Sequence, residues 1–155
     1  MALATMAAIY GALETVLSAV SGVDQSSTDD YMPPVNTANT ALIITPFGKE
    51  SVYGIKSFAD TSASWQTHQI RCEFWTKHTG NNATTMSRAW DIGGAAVAAL
   101  MSNPTLSSTI DTIGLYDGVS GFDYTIEART EEEMLEVGGI PYVRTIVVVP
   151  VSDFA

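Results

Sequence analysis

The stretch SASWQTHQIRCEFWTKH, residues 62–78, carries the clearest strand pattern in the chain, and the fold is built outward from it. Ile70, Cys72 and Phe74 alternate with Arg71 and Glu73, which is the period of two of a half-buried strand. The apolar set predicts a side that faces the core. The charged set predicts a side that faces solvent or a partner.

Two helices are predicted around this strand. Apolar residues at spacings of three and four run from Met6 to Val20, and a second stripe runs from Met86 to Met101. The second helix is expected to start at an N-cap at Asn82 or Thr84. Its interior glycines, 93 and 94, cost about 1 kcal/mol each against alanine, and such glycines mark close packing.

The remaining strand patterns set the fold class. They are TALIITPF (40–47), VYGIKSFAD (52–60), TIGLYDG (112–118), GFDYTIEAR (121–129) and YVRTIVVVPV (142–151), whereas SGVDQSSTDD (21–30) is predicted to be a polar loop. The order of helix, strands, helix and strands predicts an α+β fold. We expect one domain over residues 1–155: a mostly antiparallel sheet, two main helices packed on one face, and a long C-terminal β-hairpin arm.

The charge distribution excludes some function classes. The chain carries −10 overall, but residues 41–110 hold four acids and five bases, and residues 111–155 hold nine acids and two bases. Nucleic-acid binding needs clustered Lys and Arg, and none are clustered here. The single cysteine, Cys72, excludes an internal disulfide. The N-terminal segment lacks a basic region and contains Glu14, so neither a signal peptide nor a membrane span is expected.

No motif indicates catalysis. His68 and His78 are the only histidines, and their surroundings show no metal-ligand spacing. The phosphate-binding glycine patterns and the G-x-S-x-G elbow are also absent. We therefore expect no catalytic residue, cofactor or metal, and no enzyme. A small hydrolase that uses one of the histidines with an acid remains an alternative, because triads assemble in space. A ligand-binding domain also remains open.

The stretch TEEEMLEVGGIPYV, residues 130–143, concentrates acids beside apolar residues. Residues 130–141 are predicted to form a protruding acidic hairpin arm, with Gly138 and Gly139 reversing the chain. Consecutive carboxylates fan outward, whereas catalytic pairs converge from separate elements. A purely solvating tip would not need Met134, Leu135, Val137 and Ile140, so the arm is expected to dock on another chain.

The layout of the chain resembles that of the tail terminator proteins of long-tailed bacteriophages. The resemblance covers almost the whole chain: an Ala/Leu-rich first helix, a Pro-marked strand, SWQTHQIRCEFWT leading into TTMSRAWDIGGAAVAALMSNPTLSS, then SGFDY, an acidic connection and a Val/Ile-rich last strand. It rests on pattern and length, and it carries no functional residue over by position. The alternatives in the same class are other phage neck or tail proteins, such as a head-tail stopper, a tail completion protein or a tail tube protein.

The resemblance implies a closed, usually hexameric ring that caps the tail tube, stops its polymerisation and joins it to the head connector or stopper protein. It also implies a virion location at the tail and neck, after assembly in the host cytoplasm. A ring needs two different complementary patches on each subunit. We expect the basic middle, with Lys49 and Lys56, to meet the neighbour's acidic arm, or the acids to line a lumen that DNA crosses without specific binding. The predicted interface residues are Glu131, Glu132, Glu133, Met134, Leu135, Glu136, Arg71, Lys77 and Arg88.

Overall fold

A computed structural model describes residues 2–28, 32–34, 39–44, 50–55 and 63–155. Two helices and ten strands lie in these ranges. The helices are α1 (Met6–Ser18) and α2 (Asn82–Met101). The strands are β1 (Val23–Ser27), β2 (Thr40–Ile44), β3 (Glu50–Gly54), β4 (Trp65–Lys77), β5 (Thr112–Ile113), β6 (Leu115–Tyr116), β7 (Phe122–Asp123), β8 (Glu127–Thr130), β9 (Leu135–Val137) and β10 (Ile140–Phe154).

The two longest strands, β4 and β10, form an antiparallel ribbon at the centre of the sheet. They pair along all of β4, from Lys77 opposite Tyr142 to Trp65 opposite Phe154. On its other edge, β4 pairs with β2 over one part of its length and with β3 over the next. The other edge of β10 pairs in turn with β9, β8 and β5. Among the described strands, only β1 and β2 pair in parallel, so the sheet is mostly antiparallel as predicted.

Both helices cover the same face of this sheet. Ile70, Cys72 and Phe74 on β4 lie on the covered face with Val147 and Val149 on β10, and all are buried. The helices complete this core with Ile9, Leu13, Leu17, Ile92, Ala96 and Leu100. The α+β fold with two helices on one face is therefore confirmed, and so is the prediction that the apolar side of β4 faces the core.

Several local predictions were wrong. The predicted loop at 21–30 contains β1, because pairing with β2 outweighs the low strand preference of its polar residues. The N-cap of α2 is Asn81, whose side chain accepts the N–H of Thr84. The strand predicted over 121–129 breaks after Asp123, whose carboxylate accepts the N–H of Thr125 in a local turn. The predicted strand residues 45–47 and 56–60 lie outside the described ranges.

The two helical glycines differ in their surroundings, which gives a first testable prediction. A Cβ on Gly93 would lie 3.1 Å from the Cγ2 atom of Thr145, whereas a Cβ on Gly94 would meet nothing within 4 Å. Thr145 cannot shift freely, because its hydroxyl donates to the Ala89 carbonyl at 3.1 Å. We expect Gly94→Ala to raise the free energy of unfolding by about 0.5–1 kcal/mol, and Gly93→Ala to lower it. Urea denaturation of both variants tests this, and equal stabilisation would contradict the close packing at Gly93.

Candidate functional site

The acidic stretch contains a tight hairpin at one end of the sheet. Strand β9 pairs with the start of β10, from Leu135 opposite Tyr142 to Val137 opposite Ile140. Gly138 and Gly139 form the turn with φ of 59° and 80°. Positive φ at both central residues is what a type I′ hairpin turn requires, so the glycines reverse the chain as predicted.

The apolar residues of this hairpin pack on its own chain. Leu135, Val137 and Ile140 contact a cluster formed by Ile43, Trp75 and Tyr142. By strand alternation, this cluster lies on the face of the sheet opposite the helices. The sequence predicts that Met134 and these three side chains contact another chain. In the structure, Leu135, Val137 and Ile140 have apolar partners within their own chain.

An ionic network lies on the same face, beside this cluster. Arg144 contacts Glu131 through Nη2 to Oε1 at 2.7 Å and Glu73 through Nη1 to Oε1 at 3.0 Å. Arg71 reaches the other oxygen of Glu73 at 3.2 Å, and the Arg144 guanidinium lies 5.5 Å from the centre of the Trp75 ring. The Glu73 side chain is only 8% exposed. The network therefore keeps a buried carboxylate paired.

The carboxylates also affect the protonation of Arg144. Partial burial by itself lowers the pKa of this guanidinium, but hydrogen bonds and charges from Glu131 and Glu73 outweigh that effect. The net result is a pKa raised above its usual value. Arg144 is therefore cationic at neutral pH, and its ion pairs link β10 to β4 and to the acidic stretch.

The structure separates the predicted interface residues into groups. Arg71 and Glu131 belong to the ionic network, whereas Glu132, Glu133 and Glu136 are exposed and form no ion pair with the described residues. Met134 and Leu135 are half-buried. Lys77 and Arg88 lie outside this network and contact each other, since Arg88 Nη2 donates to the Lys77 carbonyl at 2.8 Å. Lys49 and Lys56 lie outside the described ranges.

Lys77 and the acidic hairpin share one end of the sheet. Tyr142 lies opposite Lys77 on β4 and opposite Leu135 on β9. Lys77 itself is therefore poorly placed to meet the hairpin of a neighbouring subunit across a ring interface, which needs two separate surfaces.

A second polar cluster surrounds His68, on the helix-covered face. The Ser51 hydroxyl lies 2.7 Å from His68 Nδ1, and Gln66 Oε1 lies 2.9 Å from His68 Nε2. Gln66 Nε2 donates in turn to the Ala4 carbonyl at 2.8 Å. Burial lowers the pKa of His68, although the charge of Asp153 works in the opposite direction. The cluster therefore holds a neutral imidazole between β3, β4 and the segment before α1.

The lowered pKa of His68 makes stability depend on pH. The imidazole of the unfolded chain titrates near about 6.5, and that of the folded chain titrates lower. Below about pH 6.5 the unfolded chain takes up a proton that the folded chain does not, so the free energy of unfolding falls until the folded pKa is passed. Denaturation between pH 7.5 and 5 should show this decrease. We expect His68→Gln to reduce the decrease, and an unchanged decrease in this variant would contradict the assignment.

Large apolar side chains are exposed in several places of the described ranges, among them Met32, Val119 and Tyr124, and two of these places bear on assembly. The first, which we call the helix patch, comprises Trp90 and Met101 on α2, which are 62% and 71% exposed, with Gly94 and Ala98 between them. The second, the strand patch, comprises Tyr53 and Ile55 on and just after the edge strand β3. Val52 is also exposed, but strand alternation puts it on the opposite face of the sheet. Exposed apolar patches often mark contacts with another chain, so these two places are candidates for such contacts.

The described ranges also contain a groove of about 280 Å³ beside the end of α2. It is lined mainly by apolar residues, including Leu100 and Ile113. Within the described part of the chain, no group of three or more His, Cys, Asp or Glu side chains could hold a metal ion. No helix in these ranges is both long and apolar enough to cross a bilayer.

No protein family model matches the chain, and no curated protein matches it.

Sequence reasoning named His68 but missed the contacts that organise the ionic network. Strand alternation puts Arg144, Glu73 and Trp75 on one face of the sheet, and the sequence pattern alone is enough to predict this. Their contact depends on the register between β4 and β10, which places Arg144 opposite Trp75 and Ile146 opposite Glu73. Nothing in the sequence sets this register across so long a separation.

Proposed function

We propose that this chain is a structural virion protein, a tail terminator that forms a closed ring on the tail tube of a long-tailed bacteriophage. The observation that carries the proposal is the pair of separate exposed apolar patches, one on α2 and one on β3. A cyclic ring repeats a single interface in which one patch of each subunit meets a different patch of the next. We assign the helix patch and the strand patch to these two roles.

The outer surfaces of the helices support the same role. In α1, Glu14 is the only charged residue, and in α2 only Arg88 and Asp91 are charged. An acidic chain that leaves its helices almost uncharged is expected to cover them with a partner, because charged residues are depleted at interface cores. Six copies around the tube would place the tail tube protein on one side and the head connector or stopper protein on the other.

The free carboxylates of the hairpin have a separate role in this proposal. Glu132, Glu133 and Glu136 stay exposed, either against a basic patch of an adjoining subunit or along a lumen through which DNA passes unbound. We expect Glu132→Lys combined with Glu133→Lys to leave the free energy of unfolding within about 0.5 kcal/mol, since both positions are solvated. If the carboxylates contact a neighbour, self-association weakens in low salt and recovers at 1 M salt, because screening removes the repulsion. Assembly that is unchanged at both salt concentrations would leave only the lumen role.

Negative-stain imaging of the purified chain tests the proposal. Closed rings that stop growing tail tubes are the expected result. Long tubes formed by the chain alone would identify it as a tube protein instead. A monodisperse monomer that ignores added tail tubes would overturn the proposal.

A further inference from the structure

The cluster around His68 is a directed chain of hydrogen bonds. The Ala4 carbonyl can only accept, so the Gln66 side chain must present its nitrogen to Ala4 and its oxygen to His68. His68 Nε2 therefore carries the proton and donates at 2.9 Å. Nδ1 of the neutral ring is then a bare acceptor, and the Ser51 hydroxyl donates to it at 2.7 Å.

The chain of hydrogen bonds ends at the Ala4 carbonyl, with donors that run in one direction from Ser51 through His68 and Gln66. The N–H of Ala4, which belongs to the preceding peptide group, donates separately to Asp153 Oδ2 at 2.6 Å. Hydrogen bonds aligned in this way polarise one another, which raises the basicity of Nδ1 toward Ser51. The charge of Asp153 also favours the imidazolium that forms when the serine loses its proton.

Access to the cluster is limited to the serine. His68 is 1% exposed, whereas Ser51 is exposed on the edge strand β3. A small electrophile can thus reach the Ser51 hydroxyl, whereas the imidazole of His68 is shielded from solvent. This is the relation between nucleophile, base and orienting group that nucleophilic catalysis requires.

We propose that Ser51 is a nucleophilic serine, which His68 activates for acyl transfer from small activated esters. The Ser51 Oγ atom bonds to the ester carbonyl carbon, and its proton passes to His68 Nδ1. The bond from that carbon to the leaving oxygen breaks, and the leaving alkoxide or phenolate takes the proton from His68. The products are an acylated Ser51 and a free alcohol, with no cofactor consumed. This activity is independent of ring assembly and goes beyond the structural role.

Acylation of the full-length chain by p-nitrophenyl acetate, and phosphonylation by a fluorophosphonate probe, test the proposal. Peptide mapping by mass spectrometry should place the adduct on Ser51. We expect a rate at least about 100-fold above that of Ser120, an exposed serine without a histidine partner among the described residues, since a positioned general base contributes that much. Ser51→Ala should abolish the adduct, and Ser120→Ala should leave it intact. An adduct spread over exposed serines would overturn the proposal.

The pH profile separates activation from a merely structural hydrogen bond, and it needs no variant of the buried His68. Labelling of the wild type should rise with pH and level off once His68 is neutral, whereas an ordinary serine rises steadily with hydroxide. Asp153 on β10 and Tyr53 on β3 are the titratable side chains that face His68 among the described residues, and Tyr53→Phe should keep the plateau. Gln66→Leu removes the orienting acceptor, so labelling should slow and the plateau should shift. A steady rise without a plateau in the wild type would refute His68 as the base.

Discussion

We expect Arg144→Met to lower the free energy of unfolding by about 3 kcal/mol, because it removes one partner of a buried ion pair. Arg144 bonds both Glu73 and Glu131, and methionine keeps much of its volume against Trp75. The loss leaves the Glu73 carboxylate buried with only Arg71, whose side chain is 37% exposed, as its cationic partner among the described residues. Urea denaturation at pH 7 measures the change.

Two controls make this prediction specific. Adding Glu73→Gln to Arg144→Met should recover part of the loss, since the unpaired buried charge is then gone. Arg129→Met is the matched control, because Arg129 is exposed on the neighbouring strand β8 and has no ion pair with the described residues. It should cost less than about 0.5 kcal/mol. Equal costs for Arg144→Met and Arg129→Met would show that the network contributes nothing.

The second large effect is expected on assembly. We expect Trp90→Glu to weaken self-association by about 30-fold or more, since truncating a central interface tryptophan costs at least about 2 kcal/mol. A carboxylate in the helix patch would also be buried without a partner in the ring. Sedimentation velocity over a concentration series measures the association constant.

The same helix provides the control for Trp90. Thr84→Glu places a carboxylate in the first turn of α2, at an exposed position about 120° around the helix from Trp90 and thus outside the helix patch. It should leave self-association within about threefold, since contacts away from a hot spot are nearly neutral. Both variants should unfold like the wild type, because Trp90 is 62% exposed in the subunit. Unchanged association in Trp90→Glu would remove the helix patch from the interface.

Local periodicity predicted much of the fold. The alternation of Ile70, Cys72 and Phe74 with Arg71 and Glu73 fixed the core side of β4 correctly, since side chains on a strand alternate strictly between faces. The apolar stripe of the first helix was also readable, since it faces the core. The stripe predicted for the second helix was right only in part: Ala89, Ala96 and Leu100 are buried, whereas Trp90 and Met101 are exposed. Strand β1 was not readable, because its Asp, Gln and Ser residues form a strand only through pairing with β2.

The candidate sites could be predicted only in part. The sequence placed the turn at Gly138 and Gly139 correctly. It could not show that Glu131 is tied to Arg144, because that contact depends on strand register. The contact of Gln66 with Ala4 links residues 62 positions apart and brings the segment before α1 to β4. Contacts of this kind come from tertiary packing, which no local pattern encodes.

The central claim is that copies of this chain join through two different surfaces into a closed ring. The most direct measurement is light scattering on size-exclusion chromatography of Trp90→Glu, which lacks the helix patch, and Ile55→Glu, which lacks the strand patch. Each variant keeps one intact patch, so each alone should be monomeric, and an equimolar mixture should give a dimer while the wild type gives a closed oligomer. A monomeric wild type, or a mixture that stays monomeric while the wild type assembles, would contradict the account.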